Sequence, residues 1–286
     1  MRHGFLFIDK PVGPTSHDCV AQVRRILGER KIGHLGTLDP AASGLLVMAV
    51  GAKALKVVEL FNELPKAYEA HICFGAVSTT YDREGVIEQI LRKPGVDEPT
   101  EITIRNTIED RFLGKVEQIP PAYSAVKVGG ERAYRKMRQG RGVNIPPREV
   151  EITECDIVAY AYPNLTLRVA CSSGTYIRSL AHDLGQVLRC GGYLAGLKRT
   201  QVGEWSVQDA VALDDVQWVH VVPLKDILAA RPQVQLTPQQ MTDIRNGRNI
   251  PFTVTPSTIA WFEDLPVAVV DPAKDGSGQA HARKVL

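Results

Sequence analysis

Gly33-His34-Leu35-Gly36-Thr37-Leu38-Asp39-Pro40 is the most informative stretch of this sequence, because it joins glycines, a carboxylate and a proline in one short loop. Its glycines and the nearby Gly44 permit backbone conformations and close approaches that other residues resist. Pro40 restricts Asp39 to an extended backbone, so the loop presents the carboxylate. The same pattern is typical of an ordinary turn whose aspartate caps the backbone, and the loop alone leaves both interpretations open.

A strand, a turn and a helix precede this loop. Phe5 to Ile8 reads as a short buried strand, and Pro11-Val12-Gly13-Pro14 ends it. Ser16 is then placed to cap a helix whose apolar residues repeat at helical spacing until Gly28 stops it.

Two strands are predicted after the loop. Leu45 to Val50 is a continuous apolar run. Tyr68, Ala70, Ile72 and Phe74 alternate with more polar neighbours, which indicates a half-buried strand. Tyr68 therefore starts an inward-facing row.

A second strand-to-helix junction lies further along the chain. Alternating apolar residues from Leu165 to Cys171 predict a strand, and Ser172-Ser173-Gly174-Thr175 turns it into a helix over 177–188. Arg178 lies in the first turn of that helix, where the macrodipole disfavours a cation unless an anion compensates. A carboxylate or phosphate partner is therefore expected, although a surface pair with a nearby acidic residue satisfies the same requirement.

Between these sites, Gln118-Ile119-Pro120-Pro121 opens an irregular stretch that resembles an inserted arm. Residues 132–141 carry five positive charges, no negative charge and an interleaved tyrosine. That composition favours a surface that follows an RNA backbone, and a solvated helix face is the alternative. The basic residues of this segment are Arg132, Arg135, Lys136, Arg138 and Arg141.

Composition excludes several classes of protein. The 286 residues are 44% hydrophobic and 23% charged, as in globular proteins, and no apolar stretch is long enough to cross a bilayer. The apolar run at the N-terminus is short and soon meets the charged Asp9 and Lys10, so it is not typical of a secretory signal. A soluble, cytoplasmic protein is therefore expected. A formal charge of +2 gives no global argument for a polyanionic partner, and any such argument is local to the basic segment.

The cysteines and histidines predict no metal site. Five widely spaced cysteines form no CxxC pair, and seven scattered histidines form no HExxH motif. Buried thiols are expected, with no catalytic metal and no cofactor. Near the C-terminus, residues 229–232 resemble a linker, followed by a helix over 237–245 and a hairpin around 271–278.

Four segments resemble one family, the bacterial tRNA pseudouridine-55 synthases, or TruB. Their order and spacing agree with the family, and together they span most of residues 4–205. The segments are Asp9-Lys10-Pro11 with Thr15-Ser16, Gly33 to Pro40 with Ser43-Gly44, Gln118 to Gly140 with Tyr123-Ser124-Ala125, and Gly174-Thr175-Tyr176-Ile177-Arg178.

The resemblance implies an α+β pseudouridine synthase fold, with a mixed, mainly antiparallel central sheet flanked by helices. Residues 1–231 would form the catalytic domain, with an inserted RNA-binding arm at about 118–148. Residues 232–286 would form a small PUA-like β domain that binds RNA.

The resemblance also implies roles for individual residues. Asp39 would be the catalytic aspartate and Arg178 its partner, and Tyr68 would stack on the target base. Asp39 should then be partly buried, ionised and within salt-bridge reach of Arg178, with Tyr68 beside them. Residues implied to line the pocket or contact RNA are His34, Tyr176, Leu197, Lys10, Arg132, Arg135, Lys136, Arg138, Arg141, Lys198 and Arg199.

The chain departs from the family pattern in two places. Where the family reads T-D-T-x-D-x-x-G, residues 78–85 lack one acidic residue but keep Asp82 and Gly85. Tyr193 stands where histidine is frequent, and Lys198 precedes Arg199 where two arginines are commoner. Hydrogen bonding in the first segment and RNA contacts near the second are therefore expected to differ.

The resemblance implies that the protein isomerises uridine 55 in the T-loop of tRNA to pseudouridine. It also implies a monomer that needs no cofactor and no obligatory protein partner and does not bind a membrane. Two alternatives share the motifs. One is a guide-RNA-dependent subunit of a ribonucleoprotein, which the short C-terminal part disfavours. The other is a non-catalytic tRNA-binding or folding module, which an intact Asp39 disfavours because RNA binding alone requires no carboxylate facing a polyanion.

Overall fold

The computed structural model describes residues 3–90 and 97–286, in which runs of strands are separated by single helices. The strands, in chain order, are β1 (Gly4–Lys10), β2 (Ile32–Leu35), β3 (Ala42–Val50), β4 (Lys66–Phe74), β5 (Ala76–Ser78), β6 (Ile87–Gln89), β7 (Gly114–Gln118), β8 (Lys127–Val128), β9 (Glu131–Arg132), β10 (Arg148–Ala161), β11 (Asn164–Cys171), β12 (Gly192–Val202), β13 (Trp205–Ser206), β14 (Val211–Ala212), β15 (Val222–Pro223), β16 (Gln233–Gln235), β17 (Thr258–Phe262), β18 (Leu265–Pro272) and β19 (Ala280–Val285). The helices are α1 (Ser16–Leu27), α2 (Ala52–Val57), α3 (Glu101–Arg111), α4 (Ala133–Arg138), α5 (Ile177–Val187), α6 (Leu224–Leu228) and α7 (Pro238–Arg245).

A central sheet of eleven strands organises the described residues. Its main order is β14-β1-β3-β12-β4-β11-β10-β7, with β2 beside β3, β13 beside β12 and β15 beside β1. The pairs β1–β14 and β3–β12 are parallel, and the other pairs in this sheet are antiparallel. The predicted mixed, mainly antiparallel sheet is confirmed.

Side chains alternate between the two faces of the sheet, as the period of a strand requires. Leu6 and Ile8 of β1 pack with α1, whereas Phe5 of the same strand packs on the opposite face with α2 and α6. The predicted row from Tyr68 to Phe74 faces α3 and α5. Each fully buried aliphatic side chain in these cores stabilises the fold by about 1.5–3 kcal/mol.

The start of α1 corrects one prediction. Thr15, not Ser16, is the N-cap, because its side chain accepts from the Asp18 amide and Asp18 bonds back to Thr15. Ser16 is buried, and its hydroxyl donates to the Leu38 carbonyl and accepts from the Leu38 amide. Ser16 therefore anchors the loop that carries the neighbouring Asp39. Gly28 ends the helix in the left-handed conformation, as predicted.

The loop before β3 is also shorter than predicted. Residues 33–35 belong to β2, which pairs with β3, so the irregular part begins at Gly36. Gly44 has a φ of 96°, and a Cβ there would lie 2.2 Å from the Arg199 carbonyl oxygen. Glycine is thus required where β3 and β12 approach in parallel.

The arm and the C-terminal part contain small sheets distinct from the central one. Between β7 and β10, the arm contains the β8–β9 hairpin and α4. Residues 233–285 contain a four-stranded sheet, β16-β17-β18-β19, and α7, with a hydrophobic cluster of their own. The predicted terminal helix and hairpin are present. No helix in the described part of the chain combines the length and apolar composition needed for a membrane crossing.

Candidate active site

A cleft of about 430 Å³ opens where the loop after β2, the start of α5 and the arm meet. Its volume lies in the range typical of small-molecule sites. The lining residues are Thr37, Leu38, Asp39, Pro40, Tyr68, Thr80, Asp82, Glu84, Tyr123, Ser124, Ala125, Tyr134, Arg138, Thr175, Tyr176, Ile177, Arg178 and Leu197.

Asp39 is held as a half-exposed carboxylate in this cleft. Its Oδ2 lies 3.2 Å from Arg178 Nε, and its side chain is 44% exposed while that of Arg178 is 8% exposed. The turn is closed by the backbone, since the Ala42 amide donates to the Asp39 carbonyl at 3.0 Å. The expected contact between Asp39 and Arg178 is present, and the carboxylate is directed toward the cleft.

Arg178 joins two carboxylates from different loops. Its Nη1 lies 3.2 Å from Oδ2 of the buried Asp82. The same guanidinium donates to the backbone carbonyls of Thr80 at 3.3 Å and Tyr123 at 3.1 Å. A planar guanidinium presents its donors in a fixed fork, so these partners fix its orientation. They also supply the anions that its place in the first turn of α5 demanded.

Asp82 was not predicted as a site residue. Thr80 Oγ1 and the Glu84 amide donate to its Oδ1 at 2.5 and 3.0 Å, while its Oδ2 faces Arg178. The sequence signal was its place in the 78–85 segment, but a single acidic residue in a loop does not indicate which cation it meets. The fold brings the two together from positions 96 residues apart.

Tyr68 forms part of the wall of the cleft, and only 7% of it is exposed. Tyr68 and Arg199 are direct partners in the register of β4 and β12, and burial raises the pKa of the Tyr68 hydroxyl above its ordinary value. Arg199 also donates to the Leu45 and Gly36 carbonyls at 2.7 and 3.0 Å. Tyr68 is therefore tied to the beginning of the Asp39 loop.

Two basic residues predicted to contact RNA are buried instead. Arg199 is 1% exposed and Lys10 is 0% exposed. Lys10 Nζ donates to the Pro11 and Ala42 carbonyls at 2.8 Å each. Because their donors are bound by the backbone and shielded from solvent, both residues support the Asp39 loop from within, and the prediction that they contact RNA is corrected.

Of the other residues predicted to line the pocket or contact RNA, some line the cleft and others lie outside it. Leu197 and Tyr176 line the cleft. His34 lies outside its lining, with its ring edge-on to that of His17 at 5.3 Å. Burial, followed by the charge of His17, lowers the pKa of His34 and favours the neutral ring. Lys198 is half-buried on β12, outside the cleft lining.

The arm brings positive charge to one side of the cleft. Arg138 and Tyr134 of α4 line it, and the Arg138 guanidinium lies 5.7 Å from the centre of the Tyr134 ring. Arg132, Arg135 and Arg141 are exposed, and Lys136 is half-buried. Within the described residues, no group of three or more His, Cys, Asp or Glu side chains is placed to hold a metal ion.

Comparisons with known proteins agree with this architecture. Residues 24–177 match the family model described as TruB family pseudouridylate synthase (N terminal domain), and residues 178–229 match that of a tRNA pseudouridylate synthase B C-terminal domain. A tRNA pseudouridine synthase B from Thermobifida fusca (strain YX) is 41% identical, over 98% of this chain and 97% of its own length. One from Mycobacterium tuberculosis is 39% identical, over 87% and 84%.

A solved structure of a Cbf5-Nop10-Gar1 complex contains a chain with a similar fold. The match covers 99% of this chain and 84% of that chain, with a TM-score of 0.72 and 23% identity. A structure of an H/ACA RNP bound to a substrate RNA gives a TM-score of 0.70 at 21% identity, over 99% of this chain and 84% of that chain. The expected fold class is confirmed by these likenesses.

Proposed function

This chain belongs to the TruB family of tRNA pseudouridine synthases, and from that membership we propose that it isomerises uridine 55 in the tRNA T-loop, with Asp39 as the catalytic carboxylate. The observation that carries the proposal is the pairing of a half-exposed Asp39 with a buried Arg178 in a cleft bordered by a basic arm. No other carboxylate in the cleft lining combines exposure to the cleft with that contact among the described residues.

The reaction breaks the N1–C1′ bond of uridine, rotates the freed base and joins C5 to C1′. C5 then loses its hydrogen as a proton and N1 gains a proton, so the product is an isomer of uridine. Asp39 serves either by attacking C1′ or by removing a proton from the sugar, and both routes need an ionised carboxylate. Arg178 and Asp82 form a fixed array of charge next to it, which needs no reorganisation during the reaction. The net charge of the three groups is negative, which favours a positive centre developing on the sugar.

The target uridine must leave its stack in the T-loop before it can react. Enzymes that act on a base flip it into a pocket and replace the lost stacking with aromatic or apolar side chains. Tyr68 is suited to that role because its ring borders the cleft while its strand position is fixed by pairing with Arg199 of β12. Leu197 and Ile177 supply apolar surface nearby.

RNA binding would involve surfaces on both sides of the cleft. The exposed arginines of the arm are placed to neutralise backbone phosphates around the flipped base. The C-terminal sheet, which we propose to be a PUA-like module covering about 232–286, would extend that surface. Lys198 and His34, which lie outside the cleft lining, remain proposed contacts to the RNA.

The test is tritium release from tRNA labelled at uridine C5, with the modified position mapped afterwards. Wild-type protein should release tritium from position 55, and Asp39→Asn should release none while binding tRNA as tightly. A transcript with cytidine at position 55 is the substrate control. Equal release by the two proteins would refute the assignment of Asp39, and release from another uridine would refute the assignment of position 55.

The same assay separates the stand-alone enzyme from a guided subunit. We propose that the protein acts as a monomer on free tRNA without a guide RNA or protein partner. Purified protein should then modify the transcript alone, at a rate proportional to enzyme concentration. Activity that appears only after a guide RNA or partner protein is added would contradict this.

A further inference from the structure

The two ends of the arm meet at one place in the sheet. The chain leaves β7 at Gln118 and returns in β10 at Arg148, and these two residues are direct partners in the antiparallel register. Both reach the turn that carries Tyr176, immediately before α5. The base of the arm therefore lies against the segment that sets the direction of Arg178.

Gln118 pairs with the backbone of Tyr176 through both ends of its amide. Its Nε2 donates to the Tyr176 carbonyl at 3.0 Å, and its Oε1 accepts from the Tyr176 amide at 2.7 Å. The residue is 4% exposed, so water competes little for these bonds. Tyr176 is the N-cap of α5, and no side-chain cap at this position is present among the described residues. Gln118 thus fixes the start of α5, which the side chain of the N-cap residue Tyr176 does not do.

The segment after Gln118 continues across the first turn of α5. Ser179 Oγ donates to the Ile119 carbonyl at 2.7 Å, and Arg178 Nη2 donates to the Tyr123 carbonyl at 3.1 Å. Three residues of this segment therefore hold the start of α5. Gln118 binds the N-cap residue Tyr176, Ile119 binds Ser179 in the first turn, and Tyr123 binds the Arg178 guanidinium. A displacement of the arm would be transmitted to the Arg178 side chain.

Arg148 holds the same turn from the other end of the arm. Its guanidinium lies 4.8 Å from the centre of the Tyr176 ring and donates to the Gly174 carbonyl. Gly174 has a φ of 87°, a conformation that favours glycine. Tyr176, which lines the cleft, is thus hydrogen-bonded through its backbone to Gln118, and its ring packs against the guanidinium of Arg148.

We propose that Gln118 and Arg148 are positioning residues that connect the placement of the RNA-binding arm to the Asp39–Arg178 pair. Neither residue lines the cleft that holds Asp39. They act by fixing Tyr176 and, through the first turn of α5, the direction in which Arg178 faces Asp39. The inference rests on the proposed function, because it assumes that this pair performs the chemistry.

The experiment compares Gln118→Leu with Gln186→Leu, which alters an exposed glutamine on α5 that lies away from the arm's base. Hydrogen exchange should accelerate at least about tenfold in Gln118→Leu only, at the Tyr176 amide, which donates to Gln118, and at the Leu180 amide, which donates to Tyr176. Single-turnover rates at saturating tRNA should fall about 10- to 100-fold, as for a small misplacement of a catalytic group, with tRNA Kd within about threefold. An unchanged rate, or a loss confined to Kd, would overturn the proposal.

Arg148→Lys provides a second variant in case Gln118→Leu does not fold. It keeps the charge but loses the planar group that stacks on Tyr176, so the same separation of rate from Kd is expected. The double variant should lose less than the product of the single losses, since both act through one residue. If wild-type protein itself is inactive on tRNA, the proposed function fails, and the exchange measurement still decides whether the base of the arm fixes this turn.

Discussion

Arg178 controls the electrostatics of the cleft because a single buried guanidinium faces Asp39 on one edge and Asp82 on the other. Replacing Asp82 with asparagine removes the charge and weakens the hold on Nη1. We expect single-turnover activity to fall about tenfold or more at unchanged tRNA Kd. Stability should fall by about 1–3 kcal/mol, since a buried charged hydrogen bond is weakened.

The control for Asp82→Asn is Asp156→Asn. Asp156 also pairs with an arginine, Arg168, at 3.3 Å, but on the surface, with side chains 56% and 65% exposed. An exposed pair contributes at most about 1 kcal/mol. Equal effects of the two substitutions on chemical denaturation and on rate would contradict the role given to Asp82.

Asp183, on α5, predicts a dependence of stability on pH. Burial raises the pKa of this carboxyl from 3.8 to about 6. The folded state therefore binds this proton more tightly than the unfolded state, and ionising the group as pH rises from about 4 to 6 destabilises the fold. Asp183→Asn should match wild type below about pH 4 and exceed it at neutral pH by about 1 kcal/mol, after allowance for solvent screening of a half-buried group.

Urea titrations across this pH range provide the measurement for Asp183. Asp110→Asn, which alters an exposed aspartate on α3, is the control for removal of a carboxylate. A difference between Asp183→Asn and wild type that is constant with pH would contradict the assignment.

At the level of residues, the place of Arg178 in a first helical turn indicated only that it needs an anion. The family resemblance, and not a local pattern, identified Asp39 as that anion. Sequence reasoning left Asp39 in an ordinary turn as an open alternative. It misplaced Lys10 and Arg199 at the RNA surface. A charged residue in a sequence suggests exposure, whereas these two side chains are buried with their donors bound to backbone carbonyls from other strands. Such partners depend on the order of strands in the sheet, which a local pattern does not contain.

The arm is the element whose role is most open to measurement. Arg132 and Arg135 are exposed and lie outside the cleft lining. Replacing both with alanine should weaken tRNA binding about tenfold near physiological salt and reduce the slope of log K against log salt by about 1–2. The rate at saturating tRNA should stay unchanged, because neither residue reaches the Asp39–Arg178 pair.

A matched double variant tests whether the effect belongs to the arm. Arg105 and Lys115 are exposed basic residues outside the arm, paired with Glu101 and Glu149. Their replacement with alanine should leave the salt slope near that of wild type. If both double variants lower the slope equally, general charge and not the arm accounts for the binding.

Elements with strong periodicity were predictable, and elements fixed by distant contacts were not. The row from Tyr68 to Phe74 and the stop at Gly28 follow from local rules and are confirmed. The start of β2 within the glycine-containing stretch was missed, because Gly33 to Leu35 become a strand only by pairing with β3. The short β5–β6 and β8–β9 hairpins likewise carry too little pattern of their own.

At the scale of the molecule, the catalytic part and the C-terminal sheet share a hydrophobic core. Ile259, Trp261 and Val269 of the C-terminal sheet belong to the same cluster as Leu224 and Leu228 of α6. The composition of residues 229–232 predicted a linker but could not predict this packing. A linker's composition depends on the connecting segment and not on the surfaces of the two parts that it joins. The two parts are therefore expected to unfold together.

Trp261 provides the test of that cooperation. It is 9% exposed, so Trp261→Ala removes a large side chain from the shared core and should destabilise the protein by about 3–5 kcal/mol. Trp261→Phe should have a smaller effect, because it fills much of the space and removes an indole N–H that has no hydrogen-bond partner within the described residues.

A polar contact between the same two parts serves as the comparison for Trp261. Glu59 pairs with Lys284 at 2.6 Å, with side chains 42% and 32% exposed, so Glu59→Gln should cost at most about 1 kcal/mol. Calorimetry should give one transition for wild type and Glu59→Gln. In Trp261→Ala, hydrogen exchange in β17 to β19 should accelerate ahead of exchange in the central sheet, because the shared core is what links them. Uniform acceleration in both sheets, or two transitions already in wild type, would show that the C-terminal sheet does not derive its stability from this core.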